Sequence, residues 1–120
     1  THLGALTIQN STLSDNGYGV VGDSSQLTLT GSTLSRNNIG LYSNRNDSVN
    51  VDSCMLTANS VWGAIVYANS ASGAGTTFTN STISNNTTNL TGGGIYSWTD
   101  ATVQLTNVTV KNQGDAVSLS

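Results

Sequence analysis

The chain has six acidic residues, all aspartates, and these are the groups that could perform acid–base chemistry. Glycoside hydrolysis needs two carboxylates that face one groove, and a calcium-assisted lyase needs clustered carboxylates beside a basic residue. The aspartates are scattered, and the one histidine, His2, lies close to the start. Whether two carboxylates meet therefore depends on the structural elements that carry them. The aspartates are Asp15, Asp23, Asp47, Asp52, Asp100 and Asp115.

Aromatic side chains are the second group with binding potential. An aromatic ring offers a flat apolar face, and Tyr and Trp add a polar edge, so such a ring can stack against a sugar. Trp62, Tyr96 and Trp98 lie close to the longest predicted loops of the chain. We expect these three residues either to contact carbohydrate or to pack beneath the loops.

Asn-x-Ser/Thr sequons are a third feature, because this tripeptide is the acceptor for N-glycosylation. Asn, Ser and Thr are abundant in the chain, so sequons also arise by chance. Asn46 and Asn89 fall in predicted loops and are the candidate glycosylation sites, provided that the host glycosylates exported proteins. The sequons begin at Asn10, Asn46, Asn80, Asn85, Asn86, Asn89 and Asn107.

The elements that must position these residues are five copies of one repeat. The copies begin near residues 6, 27, 49, 76 and 103, at spacings of 21, 22, 27 and 27 residues. Within each copy, apolar and polar residues alternate with a period of two, which is typical of strands with one buried face. One apolar column is Leu6, Leu27, Val49, Thr76 and Val103, and a later one is Leu13, Leu34, Leu56, Ile83 and Val110.

Further columns indicate corners between the strands. Amides stacked at one position can form a hydrogen-bonded ladder, and asparagine tolerates the left-handed backbone of a sharp corner. This predicted ladder is Asn16, Asn37, Asn59 and Asn86, with Gln113 on the fifth copy. A predicted column of small residues is Gly19, Gly40, Ala64, Gly94 and Ala116, and the apolar column directly after it is Val20, Leu41, Ile65, Ile95 and Val117.

These columns predict an all-β fold, a right-handed parallel β-helix of about five coils with 21–27 residues per coil. Residues 1–120 form one such segment. The sequence shows no capping element at either end, so we expect further coils or copies of the chain, stacked end to end, to adjoin it.

The same columns separate the acidic residues. Asp15 and Asp52 have no acidic neighbour at the same position of an adjacent coil, and the return-loop aspartates lie on different coils. We therefore expect no catalytic site, no metal and no cofactor. Cys54 occupies a column of small inward residues, which predicts a buried structural thiol.

Charge and hydropathy exclude two classes of partner. The net charge is −3 with only three Lys and Arg residues, so the chain has no basic surface for nucleic acid. The longest apolar run, residues 61–68, is far shorter than the roughly 20 residues of a membrane-spanning helix.

The fourth repeat carries a recognisable motif. Residues 83–86 read Ile-Ser-Asn-Asn, and residues 92–95 read Gly-Gly-Gly-Ile. This pair resembles the repeats of right-handed parallel β-helix proteins in the pectin-lyase-like superfamily, among them polymorphic outer-membrane proteins and autotransporter-type passenger domains. The resemblance covers nearly the whole chain. It implies an exported protein that acts as an adhesin, a stalk or a surface coat.

These observations favour a non-catalytic extracellular segment with a structural or adhesive role at a cell surface. Two alternatives stay open. One is a carbohydrate-binding or polysaccharide-degrading β-helix module, and the other is a subunit of an end-to-end stacked fibre or sheath. The expected partners are further β-helix coils, copies of the same chain, or surface glycans.

Overall fold

Alternating apolar and polar residues form 15 strands in the part of the chain that the computed structural model describes, residues 4–45, 48–67, 75–86, 92–98, 101–111 and 114–120. The strands are β1 (Ala5–Gln9), β2 (Thr12–Ser14), β3 (Tyr18–Asp23), β4 (Gln26–Thr30), β5 (Thr33–Ser35), β6 (Ile39–Asn44), β7 (Ser48–Asp52), β8 (Met55–Thr57), β9 (Trp62–Val66), β10 (Gly75–Thr79), β11 (Thr82–Ser84), β12 (Gly93–Ser97), β13 (Val103–Thr106), β14 (Thr109–Lys111) and β15 (Asp115–Leu119). Each coil of the chain contributes three of them.

The strands stack coil upon coil into three parallel sheets. The first sheet has the order β1-β4-β7-β10-β13, the second β2-β5-β8-β11-β14 and the third β3-β6-β9-β12-β15. Every strand therefore pairs with the strand three places along the chain, which is the equivalent strand of the next coil. This topology confirms the predicted all-β parallel β-helix of about five coils.

The inward columns of the three sheets form one continuous core. In the first two sheets the register is the predicted one, with Leu6, Leu27, Val49, Thr76 and Val103 side by side. Leu34, Leu56 and Phe78 are fully buried. Burying a side chain of this size contributes about 1.5–3 kcal/mol relative to leaving it exposed. The core thus runs the length of the solenoid.

The core columns are less covered on the first and last coils, which each have one neighbouring coil in this chain. Leu6 is 42 % exposed on the first coil, and Leu105 and Val117 are 40 % and 41 % exposed on the fifth. On the second, third and fourth coils, the described core residues are buried because a coil lies on both sides.

The asparagine column is a ladder of buried amides that joins four coils. Asn37 Oδ1 accepts from the backbone N–H of Asn16 at 3.0 Å, and Asn59 Oδ1 accepts from the backbone N–H of Asn37 at 3.0 Å. Asn86 Oδ1 accepts from both the backbone N–H and the Nδ2 of Asn59, at 3.0 and 2.9 Å. Each buried Nδ2 also donates to a leucine carbonyl of the preceding coil, as Asn59 does to Leu34 at 3.1 Å.

The left-handed backbone at this corner lies one residue earlier than we expect from the sequence. The residues with positive φ are Asp15, Arg36, Ala58 and Asn85, at 64°, 53°, 55° and 55°. Each ladder asparagine is the next residue along the chain and does not have a positive φ. Their side chains turn into the coil to reach the next amide, and the left-handed residue before them turns the chain. The ladder asparagines are therefore not the left-handed residues of this corner.

The third sheet corrects the register predicted for coil three. Ala64, not Ile65, pairs with Leu41 and Ile95, so Ile65 points outward. Gly63 accordingly belongs to the small column that precedes them. A Cβ on Gly40 would lie 2.5 Å from the carbonyl oxygen of Gly63, so these backbones approach too closely for any side chain. This close approach decides the register, and the sequence alone did not reveal it.

We predict that Asn59→Ala destabilises the fold by about 3 kcal/mol, because the change leaves the backbone N–H of Asn37 and the carbonyl of Leu34 without their buried partner. Urea unfolding followed by circular dichroism measures this loss. The control is Asn16→Ala, because Asn16 is exposed and its Nδ2 bonds to Ser14 of its own coil. The control is expected to change stability by less than about 0.5 kcal/mol. Equal effects of the two changes would contradict the ladder.

We also predict that Gly40→Ala destabilises the fold by about 2 kcal/mol or more, because the added Cβ meets the Gly63 carbonyl of the next coil. Gly17→Ala is the matched control, since a Cβ there has nothing within 4 Å. Thermal unfolding of the two variants compares them directly. If the Gly40 variant is as stable as the Gly17 variant, the coils do not pack as closely as described.

Candidate functional site

Six of the seven aromatic residues of the chain lie together on the outer face of the third sheet. Strand alternation places Tyr42, Tyr67, Tyr96 and Trp98 there, whereas Tyr18 and Trp62 are the first residues of β3 and β9. In β6, Leu41 and Ser43 point inward and Tyr42 points outward, and in β12 the same alternation turns Ile95 inward and Tyr96 outward. We call this group the aromatic cluster. It consists of Tyr18, Tyr42, Trp62, Tyr67, Tyr96 and Trp98.

The rings of the aromatic cluster form one connected series across four coils. Ring centroids are 5.7 Å apart for Tyr18 and Tyr42, and 5.5 Å apart for Tyr42 and Tyr67. Tyr67 stacks on Trp98 at 5.3 Å with an angle of 28° between the ring planes. Tyr96 lies edge-on to Trp98 at 5.8 Å, with an angle of 84°.

Trp62 completes the cluster from beneath. Its ring centroid is 5.2 Å from that of Tyr96, and its indole lies over Gly93, where a Cβ would come within 2.9 Å of a ring atom. Trp62 is only 9 % exposed, whereas Trp98 is 43 % exposed and Tyr18 is 51 % exposed. The structure therefore brings together the three residues predicted either to contact carbohydrate or to pack beneath the loops, with Trp62 buried beside Tyr96.

Tyr18 and Tyr67 belong to the same face, although sequence reasoning did not single them out. Tyr67 follows Ile65 by two residues, and Trp98 follows Tyr96 by two. Two-residue spacing places side chains on one face of a strand, so the signal for Tyr67 was present in the sequence, whereas the same spacing puts Tyr18 with the inward Val20. The misassigned register of coil three concealed it for Tyr67.

The charged side chains described in or beside the third sheet are Asp23, Arg45 and Asp115, and Asp115 pairs with Gly93 next to Trp62. Burial and the neighbouring tyrosines Tyr42, Tyr96 and Tyr18 raise the pKa of the Tyr67 hydroxyl above its usual value. This hydroxyl therefore stays protonated at neutral pH and can donate a hydrogen bond. At the margin of the sheet, Asp23 pairs with Arg45 at 3.2 Å, so the charges of these two exposed side chains offset each other.

The described carboxylates with resolved contacts bind neighbouring coils. Asp15 accepts from the guanidinium of Arg36 at 2.9 and 2.7 Å, on the coil after its own. Asp52 Oδ1 accepts from Thr79 Oγ1 at 2.6 Å and from Asn80 Nδ2 at 2.9 Å. Among the described residues, no three His, Cys, Asp or Glu side chains come close enough to hold a metal ion.

Cys54 lies inside the first corner. It is 4 % exposed, and its Sγ lies 3.2 Å from the Asp52 carbonyl oxygen. Its backbone N–H donates to Ser81 Oγ of the next coil at 3.0 Å. Burial raises the pKa of the Cys54 thiol, which keeps it protonated and unreactive. This environment is that of a structural residue.

Several residues named from the sequence lie outside the described part of the chain. They include the candidate glycosylation sites, two return-loop aspartates, the histidine and the fifth position of the amide column. These residues are Asn46, Asn89, Asp47, Asp100, His2 and Gln113.

Comparison with known proteins identifies one family. The model described as "Right handed beta helix region" matches residues 3–113, which is nearly the whole chain. Neither the curated proteins nor the solved structures gave a match. A search of the described residues for a helix long and apolar enough to span a membrane found none.

The hydrogen bonds to Asp52 predict a pH dependence of stability. Donation from Thr79, then from Asn80 and Ser53, lowers the pKa of Asp52 below its usual value of 3.8. The carboxylate interaction therefore stabilises the fold fully above that value, and its contribution is lost as the pH falls through the lower folded-state pKa.

We predict that Thr79→Val and Asp52→Asn each flatten this acid-side loss, measured as urea midpoints above and below pH 3.8. Thr77→Val is the control, because Thr77 lies on the same strand and pairs with Asn50 instead. An acid-side loss that is the same in Thr79→Val as in the unaltered chain would contradict the assignment.

Proposed function

The chain belongs to the right-handed β-helix family, and from this premise we propose that it is a non-catalytic extracellular segment with a structural and adhesive role at a cell surface. The observation that carries this proposal is the aromatic cluster. It is a connected set of six rings on one face of the rod, and Tyr18 and Trp98 within it are 51 % and 43 % exposed. Exposed apolar patches on soluble proteins commonly mark binding surfaces.

A structural role is supported by the way the coils hold one another. Buried amides join coils through the asparagine ladder, and the Asp15–Arg36 and Asp23–Arg45 pairs add contacts between the first two coils. Each coil therefore supports its neighbours, and a rod of this kind presents a surface at a fixed distance and orientation. The resemblance to outer-membrane and autotransporter-type repeats is consistent with a place outside the cell.

The β-helix family also includes enzymes, so a polysaccharide-degrading module is the second candidate. In the described residues, Asp15 and Asp52 both accept hydrogen bonds from neighbouring coils, and they lie at different corners. A general acid and its partner carboxylate must instead face the same sugar from one groove. This arrangement favours a structural use of both aspartates.

A subunit of a stacked fibre is the third candidate. Stacking of copies would cover the apolar side chains that are exposed on the end coils, among them Leu6 at 42 % and Leu119 at 78 %. Further coils of the same polypeptide would cover these side chains equally well. Sedimentation of the chain over a range of concentrations separates the two, because only a stacking subunit sediments faster as the concentration rises.

We predict that the purified chain releases no reducing ends and no unsaturated products from a panel of neutral and acidic polysaccharides. Beads coated with the chain are expected to be retained under flow on cell-surface or polysaccharide-coated slides, where albumin-coated beads are washed away. Cleavage that is abolished by Asp52→Asn or Asp15→Asn would overturn the non-catalytic assignment. Retention no better than that of albumin on every surface would overturn the adhesive one.

A further inference from the structure

The geometry points to the indole of Trp98 as a stacking platform for one ring of a neutral glycan, with Tyr67 and Tyr96 holding the indole in place. This inference rests on the adhesive role proposed above and names the ligand class of that surface. Of the two tryptophans in the cluster, Trp98 is the accessible one, at 43 % exposed against 9 % for Trp62.

Among the described residues, two aromatic rings contact the Trp98 indole, and 43 % of this residue remains exposed. Tyr67 stacks on one face at 5.3 Å, and Tyr96 meets the ring edge-on at 5.8 Å. Ser120 occupies the position of the fifth coil that corresponds to Trp98 on the fourth. The backbone N–H of each residue donates to the carbonyl of the coil before it, Trp98 to Val66 and Ser120 to Ser97. A serine side chain is too small to cover an indole, which accounts for the exposed fraction of Trp98.

The Trp98 ring is also held before any ligand arrives. Its backbone N–H is bonded to the preceding coil at 2.9 Å, and two tyrosine rings fix its orientation. Binding then costs little side-chain entropy, because an aromatic side chain has few rotatable bonds and these are already restricted. A preorganised flat ring is suited to a flat ligand.

Among the described residues, the chemistry around the platform favours an uncharged polar ligand. The outward neighbours on coils three and four are Ile65, Tyr67 and Tyr96, which carry no charge at neutral pH, and Ser118 and Ser120 lie on coil five. Tyrosine and serine hydroxyls can bond sugar hydroxyls, while the indole covers the apolar C–H face of a pyranose whose hydroxyls are equatorial. β-Linked glucose and N-acetylglucosamine have such faces.

A protein partner fits this site less well. A stable protein interface buries about 800 Å² on each partner and is built around a large central cluster of apolar contacts. Here Trp62 is buried, and Tyr42, Tyr67 and Tyr96 are half-buried, so Trp98 is the main accessible ring at this end of the cluster. A surface of this size matches a sugar ring.

The test uses the two tryptophans as reporters. In a Trp62→Phe variant, Trp98 is the one remaining source of indole fluorescence. Titration with cellohexaose or chitohexaose is expected to shift its emission to the blue and to protect it from acrylamide quenching, with saturation. Calorimetry on the unaltered chain gives the affinity independently, so the test does not depend on the folding of the Trp62 variant.

Variants then locate the site. Trp98→Ala is expected to weaken binding by about tenfold or more, and Trp98→Phe to restore part of it, because a smaller ring keeps part of the stacking surface. Met55→Ala is the matched control, since Met55 is similarly exposed at 46 % but lies on the second sheet. Its affinity is expected to equal that of the unaltered chain.

Four results would overturn the inference. The first is that the folded chain binds neither neutral hexasaccharide, and the second is that the Trp98→Ala variant binds as tightly as the unaltered chain. The third is a preference for the acidic polymer polygalacturonate. The fourth is a fluorescence change that depends on protein concentration in the absence of sugar, which would indicate that a second copy of the chain covers this face. The bead experiment tests the adhesive proposal independently of the Trp98 site. If beads coated with the Trp98→Ala variant are still retained, the Trp98 site is contradicted and the adhesive proposal stands.

Discussion

Stacking of equivalent backbone positions on successive coils is the constraint on which the rest of the structure depends. Parallel strands lie about 4.8 Å apart, so each residue must be compatible with the residue at the same position above and below it. An asparagine satisfies this condition because its amide both donates and accepts, as Asn37 and Asn59 show. Lone charges do not satisfy it, and the described pairs Asp15–Arg36 and Asp23–Arg45 place opposite charges on adjacent coils.

The same constraint explains how much of the fold could be predicted from the sequence. In the first two sheets, one residue type dominates each column, so counting from Leu6 to Leu27 to Val49 leads to the correct register. In the third sheet, Gly63, Ala64 and Ile65 all fit a small or apolar position, and hydropathy cannot distinguish a shift of one residue. The alternatives are distinguished by the close approach of the Gly63 carbonyl oxygen to Gly40, where a Cβ would lie only 2.5 Å from it.

The aromatic cluster was predictable in composition but not in exposure. Trp62, Tyr96 and Trp98 could be named because aromatic residues are rare in this chain. Which of them is accessible depends on the next coil, where Gly93 makes room for the Trp62 ring and Ser120 leaves the Trp98 ring uncovered. Such information is distributed over residues more than 20 positions apart, and no local pattern contains it. The acidic residues show the same effect, since the role of Asp52 depends on Thr79 of the next coil.

The strand register also bears on how such a chain can change over generations. The repeats differ in length, from 21 to 27 residues, yet the paired strands of the described coils keep one register. The difference lies between the paired strands and leaves their register unchanged. A duplicated coil would likewise meet matching amides, glycines and apolar side chains on both sides. The number of coils and the length of the loops can therefore change independently during evolution. Duplication of a coil would lengthen the rod without changes to its core.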